Sequence, residues 1–174
     1  MAKNTLAFPE IGWAIQVPIN CKLSNAKEIA LIDKNGKEML EKANKSDLMR
    51  PGSRTIFHAQ QERFNAISCS VSPVAGRSDF EKYTIDRKSK EFVLELWQSR
   101  MRHAKLDNRT STEWIGGKEF DDFQIVIRVG DKILFRNHYY SAEINDYNIE
   151  ISVFYQNNKM GENFIRSLRE SKFS

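Results

Sequence analysis

Three consecutive segments near the C-terminus alternate apolar and polar residues, and no other feature of the sequence constrains the fold as strongly. They span residues 123–129, 133–142 and 147–155. A period of two residues predicts strands with one apolar face. Because only the short turns Gly130-Asp131 and Asn145-Asp146 separate them, the three strands are predicted to form an antiparallel meander.

The longest helix is predicted to begin at Ser78. Ser78-Asp-Phe-Glu81 is a capping box, in which the serine hydroxyl accepts a hydrogen bond from the amide three residues on and the glutamate accepts one from the serine amide. We expect the helix to run to about Lys105. Its second half carries a wide and mainly apolar stripe, which comprises Phe92, Val93, Leu96, Trp97, Arg100, Met101 and Ala104.

Weaker patterns predict two elements in the first quarter of the chain. Residues 12–23 alternate as a strand with Pro18 on its polar face, and a proline there favours a sheet edge or a bulge. Residues 27–44 predict a weak helix that breaks at Asp33-Lys-Asn-Gly36.

The remaining predicted elements are short. In the strand at residues 64–71 the apolar side chains share one face, and Ser68, Ser70 and the adjoining Ser72 lie on the other. The other elements are strands at residues 54–58 and 112–115 and a closing amphipathic helix at residues 159–172.

This order of elements predicts an α+β fold, in which helices are set against a mainly antiparallel sheet. A length of 174 residues is that of one domain. We assign residues 1–8 to an N-terminal tail and residues 9–174 to a single α+β domain. The 40% hydrophobic content indicates a chain that buries its own core, and no run approaches the ~20 apolar residues of a membrane-spanning helix.

The charge pattern argues against a specific nucleic-acid partner. The chain has 27 Lys and Arg against 23 Asp and Glu, a net charge of +4. Even the most basic segment, residues 78–109, contains eight basic and six acidic residues, whereas a polyanion site requires a concentrated basic patch. As it stands, the sequence predicts a cytoplasmic protein. If Met1 replaces a removed signal peptide, the prediction becomes a periplasmic or lipid-anchored envelope protein.

No recognisable motif for catalysis, metal or cofactor binding is present, so we predict no cofactor, no metal and no catalytic residue. Cys21 and Cys69 both fall on apolar strand faces, which favours buried free thiols and leaves a disulfide as the alternative. The segment Glu119-Phe-Asp-Asp-Phe123 is interpreted as an acidic surface loop, with an acid–base pair or a cation site as the alternative. Asp33-Lys-Asn-Gly36 lacks the ligands of a calcium loop and is interpreted as a turn.

The candidate binding residues lie in the middle strand of the meander. Alternation places Arg136, His138 and Tyr140 on one face of this strand, where they could form a polar and aromatic contact surface. Ordinary sheet surface beneath a helix is the alternative.

Taken together, the element order and several short motifs resemble the PsbP-like fold, an α/β/α sandwich. The resemblance covers nearly the whole chain from Pro9 onward and includes the long helix from Ser78. Its motifs are Gly12-Trp13, Val17-Pro18, Ile67-Ser-Cys-Ser-Val71, Trp114-Ile-Gly-Gly-Lys-Glu119 and Ser167-Leu-Arg-Glu-Ser-Lys-Phe173.

Proteins of this fold include a photosystem extrinsic subunit, a Ran-binding nuclear transport factor and small bacterial envelope proteins and lipoproteins. The resemblance therefore implies a non-enzymatic binding or accessory protein that acts through a protein partner, with the bacterial envelope group as the nearest in character. The alternative is a small-ligand carrier or an enzyme with a site between sheet and helix. The oligomeric state is left open.

Overall fold

The computed structural model describes residues 3–74 and 76–174 and contains three α-helices and ten strands within them. The helices are α1 (Ala26–Lys42), α2 (Asp79–Arg100) and α3 (Asn158–Arg169). The strands are β1 (Lys3–Phe8), β2 (Trp13–Pro18), β3 (Lys22–Leu23), β4 (Arg54–Gln60), β5 (Asn65–Pro73), β6 (Lys105–Ile115), β7 (Lys118–Val129), β8 (Lys132–Ile144), β9 (Tyr147–Tyr155) and β10 (Lys172–Phe173).

The strands form two antiparallel sheets. Seven of them make the main sheet, in the order β3-β4-β5-β9-β8-β7-β6, and β1, β2 and β10 make a smaller one. The predicted meander is confirmed as β7, β8 and β9, and its turn at Asn145 and Asp146 has positive φ at both residues. Such a turn matches the twist of the strands it joins.

The meander has a fourth strand. β6 was predicted at residues 112–115 but begins at Lys105, and it pairs with β7 along its entire length. Most of its residues are exposed, so its sequence lacks the apolar alternation that marks a half-buried strand. Backbone pairing at the sheet edge, rather than burial, defines this element.

The helix boundaries correct two predictions. Both halves of the Ser78 capping box form, but α2 ends at Arg100 rather than near Lys105 because the chain turns at Met101 and enters β6. The predicted break at residues 33–36 does not occur. A second capping box at Asn25 and Glu28 starts α1, and Gly36 lies inside a continuous helix.

Residues 12–23 do not form one strand. Strand β2 ends at Pro18, and the backbone amide of Cys21 donates a hydrogen bond to the Pro18 carbonyl. Strand β3, which follows, belongs to the main sheet and not to the small sheet that contains β2. Residues 3–8, assigned to a tail from the sequence, form β1 instead. β1 pairs with β2 along its length, and Phe8 stacks on Trp13. The segment is too short and too weakly apolar to indicate a strand by itself.

The two faces of the main sheet are covered differently. We call the side that carries Ile67, Cys69, Tyr140, Ile151 and Val153 the packed face; α3 and the small sheet bury it in one large hydrophobic cluster. We call the side that carries Ser68, Ser70 and Ser152 the serine face; α1 and α2 lie over it. Helices on both faces confirm the predicted α+β sandwich.

Candidate functional site: a cavity beneath two helices

Arg136, His138 and Tyr140 lie on one face of β8, as predicted, but that face is the packed one. Tyr140 is only 1% exposed, and the His138 side chain is 12% exposed. The Arg136 guanidinium donates a hydrogen bond to the Asn158 side chain at the start of α3. The three residues therefore do not form an open contact surface, because helix α3 and the small sheet lie over this side of the sheet.

His138 is instead the centre of a buried polar network. Its Nδ1 lies 3.2 Å from both carboxylate oxygens of Asp122 and 3.2 Å from the Tyr140 hydroxyl, and its Nε2 lies 3.4 Å from the Tyr155 hydroxyl. Burial raises the pKa of both tyrosines. Both ring nitrogens thus have protein partners, and the network joins β7, β8 and β9.

Asp122 corrects the interpretation of residues 119–123 as a surface loop. The segment belongs to β7, and the Asp122 side chain is 3% exposed. The carboxylate is stabilised there by His138 and by the amide of Gln124. Because a buried carboxylate requires such partners, the sequence alone could not distinguish this residue from its exposed neighbour Asp121.

The serine face carries a cavity of about 630 Å³ between α1, α2 and the sheet. Ligand sites in proteins commonly have volumes of about 300–1,000 Å³. Apolar side chains of the two helices form the roof, among them Met39, Leu40, Phe92 and Val93. On the sheet side, the floor combines the small hydroxyl side chains of Ser68, Ser70, Ser141 and Ser152 with larger residues, among them Phe123, Tyr139 and Glu150.

Small side chains in part of the floor leave room for the cavity. Ser68 pairs directly with Ser152 across β5 and β9, so adjacent floor positions carry side chains that cannot reach the helices. None of the residues of α1, all of which the structure describes, is fully buried, and α2 buries only Phe92. Alternating serines in β5 were visible in the sequence, but they equally predict a solvent-exposed face.

Charged groups around the cavity are paired within the protein. The Arg50 guanidinium lies 3.1 Å from the Glu150 carboxylate, and Lys90 lies 2.7 Å from Asp86. Asp33, which the sequence placed in a turn, accepts hydrogen bonds from the backbone amide and hydroxyl of Thr55. This aspartate therefore ties α1 to β4 and is not part of a calcium loop.

A smaller cavity of about 310 Å³ adjoins the first and shares Arg50, Asp86 and Ser141 with it. It lies toward the turn between β8 and β9, where Asn148 lines it. The side-chain nitrogen Nδ2 of Asn148 is buried and has no hydrogen-bond partner among the described residues. Buried donors are normally paired, so this atom offers an unused hydrogen bond.

The two cysteines are buried and unpaired, as the sequence favoured. Burial raises the pKa of Cys21 to about 11 and that of Cys69 well above its usual range. Both thiols are therefore protonated at neutral pH, which makes them poor nucleophiles.

Within residues 3–74 and 76–174, no group of three or more His, Cys, Asp or Glu side chains could hold a metal ion. No helix there combines the length and apolar character that crossing a bilayer requires.

Comparison with known proteins identifies the fold. The chain is similar to cyanobacterial PsbP (CyanoP) from Synechocystis sp. PCC 6803, whose solution structure matches it with a TM-score of 0.61 at 9% sequence identity. The match covers 99% of this chain and 92% of that chain. The sequence matches no protein-family model and no curated protein. The predicted PsbP-like fold is confirmed, and at this identity the likeness extends to the fold alone.

Proposed function

We propose that this protein is a non-enzymatic binding protein and that its ligand occupies the cavity between α1, α2 and the serine face. The cavity is the observation that carries the proposal, because it combines an apolar roof, a hydroxyl-lined floor and a volume suited to a small molecule. The sequence left open a protein partner and, as the alternative, a small-ligand carrier or an enzyme with a site between sheet and helix. The geometry of the cavity favours a small ligand.

The likeness to cyanobacterial PsbP supports an accessory or binding role and nothing more specific. The polar network at His138 does not favour catalysis, because the side chains of His138 and Asp122 are only 12% and 3% exposed and Tyr140 is buried, which leaves a substrate little access to them. A location at the bacterial envelope stays a prediction from the sequence.

Gly36 provides the test of this proposal. It lies in α1 on the wall of the cavity, and a Cβ added there meets nothing within 4 Å. N-phenyl-1-naphthylamine, a neutral dye that fluoresces in apolar surroundings, should bind saturably to the wild type. Gly36→Phe should weaken this binding about tenfold by filling the cavity, whereas Gly36→Ala should leave it unchanged. Equal binding by all three proteins would contradict the proposal.

A second candidate is a protein partner, which one surface feature favours. Phe80 and Tyr83 lie one turn apart in the first part of α2 and are 77% and 65% exposed. Large aromatic side chains are enriched where proteins bind one another. Such a partner would contact the same helix that roofs the cavity, and Tyr83 also lines the smaller cavity.

The test of the second candidate is cross-linking in the native host. A double variant, Phe80→Ser with Tyr83→Ser, should abolish a specific cross-linked partner, whereas Trp114→Ser, at an exposed aromatic residue of β6, should retain it. A partner that survives the double variant would exclude this surface.

A further inference from the structure

The two adjoining cavities differ in character, and the difference identifies a ligand class. We propose that the ligand is an amphipathic molecule without net charge, with its apolar body beneath α1 and α2 and an oxygen acceptor at Asn148. This inference rests on the proposed function, since it specifies what the same cavity binds.

The absence of net charge follows from the charged groups around both cavities. Arg50 is paired with Glu150 and Lys90 with Asp86, as described above, and Lys82 of the smaller cavity lies 2.8 Å from Glu143. A charged ligand that binds at one of these residues would have to compete with its partner, and breaking the pair leaves an uncompensated charge in a partly buried site.

The charged groups that remain are balanced. Arg77 and Asp121 line the smaller cavity, and neither forms an ion pair among the described residues. They carry opposite charges, so the unpaired groups of this cavity have no net charge. Lys34 and Lys37 at the roof are solvent-exposed and lie 3.7 and 4.0 Å from glutamates of the same helix, and exposed pairs of this kind contribute little.

The polar end of the ligand is assigned by hydrogen bonding. Asn148 Nδ2 is a buried donor without a partner, and Ser72, the residue directly opposite in β5, has a buried hydroxyl that is also without one in the described chain. Asn148 lines the smaller cavity, so a turn of its side-chain amide toward that space would let Nδ2 donate to an ether, hydroxyl or carbonyl oxygen of a ligand. An unsatisfied donor is costly when buried, so this position favours an oxygen over a hydrocarbon.

The apolar end is assigned by the roof of the larger cavity. Met39 and Leu40 of α1 face the sheet together with Phe92 and Val93 of α2. Methionine adapts readily to ligands of different shape, and the space of about 630 Å³ exceeds what a short alkyl chain fills. The serine floor below can bond to oxygens along the ligand but cannot neutralise a charge.

The experiment compares three amphiphiles that share an eight-carbon tail: octyl glucoside, octyl sulfate and octyltrimethylammonium. Each displaces bound N-phenyl-1-naphthylamine from the wild-type protein below its micelle concentration. Octyl glucoside should act at a concentration about tenfold lower than either ion. Displacement by either ion at an equal or lower concentration would overturn the inference about charge, while leaving the cavity as the binding site.

Asn148→Leu tests the polar end separately. With its own dye affinity measured first, this variant should require about fivefold more octyl glucoside than the wild type to displace the same fraction of bound dye. Unchanged displacement would overturn the role of Asn148. Failure of the proposed function itself has a different signature, namely dye binding that is absent from the wild type or insensitive to Gly36→Phe.

Discussion

The two faces of the main sheet are formed by the same strands, but one face is buried in the core and the other borders a cavity. On the packed face, Trp13 is 1% exposed, lies between aromatic rings of β1 and β10, and donates a hydrogen bond to the Ser171 hydroxyl. On the serine face, α1 has no fully buried residue and spans a cavity. Because successive side chains of a strand point to opposite faces, one strand such as β5 can serve both the core and the cavity.

One helix glycine on each side illustrates the difference. In α3, a Cβ added to Gly161 would overlap the ring of Tyr155, so only glycine allows this helix to lie so close to β9. In α1, a Cβ added to Gly36 meets nothing. Helix α3 is thus held tightly to the sheet, whereas α1 stands away from it.

The largest loss of stability is expected from a substitution on the packed side of the main sheet. Trp13→Ala should lower the free energy of unfolding by about 3–5 kcal/mol, because it removes a buried indole and leaves a cavity in the core. Trp114→Ala, which removes an indole that is 62% exposed, is the matched control and should change it by less than about 0.5 kcal/mol. Chemical denaturation of both variants measures the difference. Similar losses would mean that the packed face is not the main source of stability.

Gly161→Ala should destabilise the protein by about 1–3 kcal/mol, since the added methyl group must displace either Tyr155 or helix α3. The shift in thermal or denaturant midpoint provides the measurement. An unchanged midpoint would show that α3 can move away from β9 at little cost in free energy. It would contradict the conclusion that α3 is held more tightly to the sheet than α1.

Gly36→Ala should stabilise the protein, whereas Gly161→Ala should destabilise it. The substitution replaces a poor helix former with the best one and meets no steric obstacle, so the free energy of unfolding should rise by up to about 1 kcal/mol. The same denaturation assay applies. If Gly36→Ala instead lowered the free energy of unfolding, α1 would have to lie closer to the sheet than a cavity between them permits.

The smallest expected effect is on the pH dependence of the free energy of unfolding, to which His58 on the serine face contributes. Burial lowers the pKa of His58, which Glu28 partly opposes, and the ring is hydrogen-bonded to Ser24. The unfolded chain therefore binds a proton more readily, so the histidine's contribution is present above its unfolded pKa of about 6.5 and is lost as the pH falls toward the folded value.

The corresponding variant is His58→Gln, with His103→Gln at an exposed histidine as the control. Between pH 7 and 5, the free energy of unfolding should fall less steeply for His58→Gln than for the wild type, and the His103→Gln slope should match the wild type. Identical slopes for all three proteins would show that His58 is not buried as described.

The sequence predicted the elements whose burial is one-sided and missed those whose formation depends on partners. Residues 123–127 of β7 and the C-terminal part of β9 alternate between buried and less buried positions, and the capping box at Ser78 is a local signal. β1 and most of β6 form through pairing with a neighbour. Gly36 and Asp33 indicated a break in α1, yet the helix continues because Asn25 caps it and Asp33 bonds to Thr55.

The candidate site was less predictable than the fold. Arg136, His138 and Tyr140 share a face as expected, but no local pattern indicates that α3 and the small sheet cover it. The serines of β5, by contrast, are as polar as the residues of an exposed face. They line a cavity only because α1 and α2 lie over this face. Which face a helix covers depends on contacts between distant segments, which alternation alone does not encode.

The most direct test of the binding account is an NMR titration of the ¹⁵N-labelled protein with N-phenyl-1-naphthylamine. The account predicts saturable shifts in the amide signals of α1, of α2 and of Ser68 and Ser152, with Trp13 and Phe164 on the packed side unchanged. Shifts concentrated on the packed side, or no saturable shift at all, would contradict the claim that the serine face is the binding site.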